Sequence, residues 1–154
     1  MKSILILIAA VSLSGTLFAE PLQKIVQVRL GAKAFRDGDV IQIDEVQSTS
    51  PDLEQGDTVT VKGHYRLDSK KAASLQLLVT QVKADGLEET DAKQIVKATT
   101  GFNPFEVTIT VKYKGYLHLT FYDNESGKPF GGTYFGTAKQ MRKVTDVSVS
   151  HYLK

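Results

Sequence analysis

Asp57-Thr58-Val59-Thr60-Val61-Lys62-Gly63-His64-Tyr65-Arg66-Leu67 decides the fold. Val59, Val61, Tyr65 and Leu67 fall on one side of an extended chain. Thr58, Thr60, Lys62, His64 and Arg66 fall on the other. A period of two is the signature of a half-buried strand, because successive side chains of extended backbone point to opposite faces. Phe105-Glu106-Val107-Thr108-Ile109-Thr110-Val111-Lys112-Tyr113 repeats the pattern. Tyr116-Leu117-His118-Leu119-Thr120-Phe121-Tyr122 repeats it again, with Leu117, Leu119 and Phe121 inward.

Further strands are predicted over 24–30, 40–46, 74–83, 134–137 and 144–152. Turn residues separate them: Arg36-Asp37-Gly38-Asp39, Ser50-Pro51, Gln55-Gly56-Asp57, Asp85-Gly86, Gly101, Lys114-Gly115, Ser126-Gly127-Lys128-Pro129 and Gly131-Gly132. Glycine supplies positive φ and the short polar residues bond their own backbone, so such clusters break strands. Residues 88–98 read either as one short helix or as a polar edge strand. This rhythm predicts an all-β antiparallel sandwich of about seven to nine strands in one domain, residues 20–154.

Residues 40–46, Ser50-Pro51 and Gly56-Asp57 leading into the long Thr- and Val-rich strand resemble the opening of bacterial immunoglobulin-like sandwiches. The pattern spans roughly residues 39–83. Leu119-Thr120-Phe121-Tyr122 followed by Gly131-Gly132-Thr133-Tyr134-Phe135-Gly136-Thr137 is similar to uncharacterised exported bacterial proteins of this size. The resemblance implies an immunoglobulin-like fold and export. It implies no activity and assigns no site residue. The cysteine pair and tryptophan of antibody domains are absent.

The first nineteen residues fit export. Met1-Lys2-Ser3 is basic, 4–13 is apolar, and Leu17-Phe18-Ala19 precedes Glu20-Pro21. That is the pattern of a cleaved signal peptide, and the apolar run falls short of the ~20 residues of a spanning helix. A secreted or periplasmic product with no stable membrane span is expected. With no cysteine, disulfides, thiol catalysis and thiolate metal sites are excluded. Nineteen Lys and Arg against 17 Asp and Glu are interspersed. A nucleic-acid partner, which calls for a clustered basic face, is not expected.

Motifs that would carry chemistry are missing. His64, His118 and His151 stand in no metal-ligand spacing, and His64 and His118 are expected on solvated strand faces. No Gly-x-Ser-x-Gly elbow occurs. Phe130-Gly131-Gly132-Thr133 lacks the lysine of a phosphate loop. The acidic clusters Asp37-Gly38-Asp39 and Asp123-Asn124-Glu125 are explained by turns without calcium. No cofactor or metal is expected.

What remains is aromatic. Tyr116, His118 and Tyr122 share a strand face, and Tyr134 lies nearby in a glycine-rich stretch. Such rings stack on sugars or anchor a protein, but they also form a small core if the 130–137 segment covers that face. The expectation is a non-catalytic binding module for a protein, glycan or envelope partner, touching it through Tyr116, His118, Tyr122 and Tyr134. The alternative is a structural or accessory subunit that pairs through an open strand edge. A hydrolytic enzyme comes third.

Overall fold

The computed structural model describes residues 22–81 and 88–153. The expected signal peptide, residues 1–19, and the Asp85-Gly86 turn lie outside the described residues. Eight strands form within them: β1 (Lys24–Ile25), β2 (Arg29–Ala34), β3 (Val40–Ser48), β4 (Thr58–Gln81), β5 (Glu88–Thr90), β6 (Val96–Thr110), β7 (Gly115–Tyr122) and β8 (Pro129–Gly136). A single helical turn, α1 (Ala138–Met141), and 3-10 turns at Ala92–Gln94 and Asp146–Val149 complete the chain. All pairings are antiparallel. The order is β1-β3-β4-β7-β8-β2, with β5 and β6 paired to β4 off this path.

The 24-residue β4 organises everything. Its first half lies between β3 and β6. Its second half has β7 on one side and the start of β6, then β5, on the other. Between the two halves the strand turns a corner. Leu67 pairs with Gly101 and Ala72 with Thr99, so Asp68–Lys71 on β4 face Thr100 alone. A bulge of this kind bends its strand and raises the local twist.

Two side chains hold the bulge. The buried Asp39 carboxylate accepts the backbone N–H groups of Asp68 (2.8 Å) and Ser69 (2.9 Å) and the Ser69 hydroxyl (2.5 Å). The Thr100 hydroxyl donates to the carbonyls of Lys70 and Lys71, at 3.0 and 3.2 Å. Gly101 stands at φ +100°, a conformation that side chains with a Cβ resist.

Because β4 is shared, its two halves face one another across one core. Val59, Val61, Tyr65 and Leu67 come from the first half, and Ala73, Leu75, Leu77 and Val79 from the second. The Tyr65 ring meets Phe121 edge-on, with centroids 5.9 Å apart. The all-β antiparallel class is as the alternation predicts. The layering differs: in place of two stacked sheets, one curled sheet forms a half-barrel, continuous through the β4 corner.

Other expectations are corrected. The predicted strand 24–30 splits into β1, on β3, and β2, on β8, at opposite ends of the order. Gly131-Gly132 is no turn but the interior of β8. A Cβ at Gly132 would lie 2.6 Å from the Leu119 carbonyl oxygen and 2.9 Å from the Tyr152 ring, so only glycine fits. Residues 88–98 are neither one helix nor one strand: β5, a 3-10 turn and the start of β6 divide them. Residues 144–152 form no strand. The outer edge of β8 is already paired with β2, and the segment instead lays Val144, Val149 and Tyr152 over the sheet.

Candidate functional site

With Leu117, Leu119 and Phe121 of β7 in the main core, Tyr116, His118, Thr120 and Tyr122 stand on its outer face. The C-terminal segment covers the middle of that face. Val144, Val149 and Tyr152 pack with Tyr134 into a second, smaller core, against which Tyr116, Met141, Ala32 and Ala34 rest.

His118 lies at the centre of this cover with 0% exposure. Its Nε2 is 2.8 Å from Thr80 Oγ1, and its Nδ1 is 2.7 Å from Thr120 Oγ1 and 3.3 Å from the Tyr152 hydroxyl. Thr120 Oγ1 and the Tyr152 hydroxyl are 3.0 Å apart. The Tyr134 ring stacks on the imidazole at 4.6 Å. Burial, and secondarily the nearby His151, lowers the His118 pKa from 6.5 to about 3. The ring is therefore neutral, and its two nitrogens are met by hydroxyls that both donate and accept. The expectation of a solvated His118 is overturned: the ring fastens the tail to the sheet.

The four residues expected to bind a partner thus separate. His118 and Tyr134 are interior. Tyr122 is half-buried at the far end of β7, opposite Ser74 and Pro129. Tyr116, also half-buried, lines a cleft of about 310 Å³ between the 52–55 turn, the start of β7 and α1. Lys114, Lys139 and Lys143 line the same cleft, as do Asp52 and Glu54. The face is covered by the 144–152 tail, not by residues 130–137.

An aromatic surface does exist, on the outer face of β3, β4 and β6. Phe102 is 56% exposed. The His64 ring lies parallel to it, 5.0 Å away and tilted by 2°. The Arg66 guanidinium lies 5.9 Å from the Phe102 centroid. His64 Nδ1 is 2.6 Å from the Asp44 carboxylate, which fixes the imidazole against β3. A shallow groove of about 430 Å³ adjoins these residues, floored by Gly63 and rimmed by Lys62, Pro104 and Glu106. Phe102 was legible in the alternation: with Phe105 and Val107 inward, period two places it outward, beside Pro104 and Glu106.

The acidic turns are occupied by the protein's own donors. Asp39 caps the β4 corner. Asp123 is paired with the Lys70 ammonium and accepts the N–H groups of Glu125 and Ser126, at 2.7 and 3.1 Å. These bonds, that of Lys70 foremost, lower its pKa to about 2. Among the described residues, no three His, Asp or Glu side chains are grouped to hold a metal ion, and no helix is long and apolar enough to cross a membrane. Comparison with family models, with curated proteins and with solved structures found no match to this chain.

Proposed function

We propose that the protein is an exported, non-catalytic binding module that holds a protein partner of the cell envelope on the outer face of β3, β4 and β6. One observation carries the reading: a large apolar ring, Phe102, is 56% exposed yet stacks on a parallel imidazole and lies near a guanidinium. Exposed aromatic and arginine side chains that are ordered before binding lose little entropy on contact, and they dominate protein interfaces. The leader-like residues 1–19 and the similarity of 119–122 and 131–137 to exported bacterial proteins support the setting.

Strand addition along β6 is disfavoured. The Thr108 N–H points away from β4 and is taken by the Gln94 side chain at 3.3 Å. Pro104, four residues earlier on the same outward row, has no N–H to offer. Glu106 between them adds a charge. Natural edge strands are blunted in these ways.

The test is recovery of partners from the envelope fraction by wild type, Phe102→Ala and Arg66→Ala, with matched melting temperatures. Recovery through this face predicts a loss of at least about tenfold for Phe102→Ala. Equal recovery by all three proteins refutes it. Displacement by soluble oligosaccharide would make the partner a glycan instead.

A further inference from the structure

The cleft at Tyr116 goes beyond this reading, because it lies on a different part of the surface and has a different chemistry. Its volume, about 310 Å³, is at the small end of ligand pockets, which run from ≈ 300 to 1,000 Å³. That is room for one small molecule, not for a peptide strand. Its lining combines a half-buried aromatic ring with charge of both signs.

Three lysines line it: Lys114 before β7, Lys139 on α1 and Lys143 just after α1. Among the described residues, none of the three has a carboxylate within 4.0 Å, although Asp52 and Glu54 line the same cleft. Three lysines against two carboxylates leave the lining net positive, which favours an anion entering the cleft.

The wall facing the lysines is built in advance. Leu53 has φ +54°, a left-handed backbone uncommon for a branched side chain, and its side chain is 2% exposed in the main core. Strain of that kind persists only where the surroundings over-determine it. Here the Gln140 side-chain amide donates to the carbonyls of Asp52 and Leu53, both at 3.2 Å, while its oxygen accepts the Thr137 N–H at 2.8 Å. One glutamine thus ties the acidic turn to the lysine-bearing one. Asp52 and Glu54, the sequence neighbours of the pinned Leu53, both line the cleft.

We propose that this cleft binds a monosaccharide carrying a carboxylate or phosphate group. The anion sits among Lys114, Lys139 and Lys143. The apolar face of the sugar ring lies on Tyr116. Asp52 and Glu54 accept hydrogen bonds from its hydroxyl groups.

The probes are glucuronate, glucose 6-phosphate, glucose and inorganic phosphate, titrated into the isotopically labelled wild-type protein and followed by backbone amide shifts. The expected result is saturable movement of the Gly115, Tyr116 and Gln140 amides with either charged sugar, and at least about tenfold weaker binding of glucose and of free phosphate. Lys139→Gln with Lys143→Gln, both on the surface and checked by an unchanged melting temperature, is expected to weaken the charged sugars by about tenfold or more and to reduce their salt dependence, Lys114 remaining. Tyr116→Phe keeps the packing and the affinity. Equal binding of glucose and glucuronate would remove the anion from the proposal. Free phosphate binding as tightly as the sugar phosphate would remove the sugar. No movement of these amides at millimolar ligand would remove the site. None of these outcomes bears on Phe102.

Discussion

At the scale of single residues, His118 shows how far a side chain's surroundings can depart from its pattern. Alternation correctly sets it opposite Leu117 and Leu119, and a polar residue in that position reads as solvated. What hides it is Tyr152, thirty-four positions later, a contact that no local period encodes. Burial makes the ring a stability sensor. Below pH 6.5 the unfolded chain takes a proton on His118, whereas the folded chain does not until about pH 3. Unfolding free energy therefore falls as pH drops through this window, by up to ~1.4 kcal/mol per unit for the one proton. Urea midpoints between pH 6.5 and 5 are expected to show this slope in wild type and to lose it in His118→Gln. A variant with the wild-type slope would overturn this assignment. Phe102 is the opposite case, fully readable from its phase relative to Phe105.

At the scale of elements, strands whose two faces differ were legible, and those read by composition were not. β4, β6 and β7 follow from alternation because a core on one side and water on the other impose it. β8 is buried on both faces, most of its residues being covered, and so shows no alternation; its glycines mimic a turn. Those glycines instead serve close approach. Gly132→Ala would force the new methyl against the Leu119 carbonyl and the Tyr152 ring. A cost of about 1–3 kcal/mol is expected, with a melting temperature lower by about 5 °C. An unchanged melting curve would mean that the tail does not press on β8 as described. The β4 corner escaped sequence reading for another reason. Asp37-Gly38-Asp39 does form a turn, but Asp39 also reaches across to Asp68 and Ser69, and that pairing depends on the completed fold.

For the whole molecule, the decisive fact is that both ends of the sheet belong to one short segment. β1 sits on β3 and β2 on β8, and Val26 and Val28 between them pack against the main core. The half-barrel's open side is thus spanned by covalent chain where a full barrel would use hydrogen bonds. Val26→Asp with Val28→Asp would put two carboxylates at that seam and is expected to cost about 2–4 kcal/mol in denaturant unfolding. Stability equal to wild type would show the segment to be dispensable. Sequence reading found strand character there but treated it as one strand, since nothing local states that its two ends pair with different neighbours.

That seam also orders events in time. Arg29 pairs with Gly136, so β2 leaves a ribosome early and must wait for β8, although β1 finds β3 soon after. Until residues 129–136 emerge, residues 29–34 have no neighbour to zip against, and the molecule cannot close. A nascent chain stalled before residue 129 would leave residues 29–34 unpaired and open to proteases, however well β1 and the central strands had already paired.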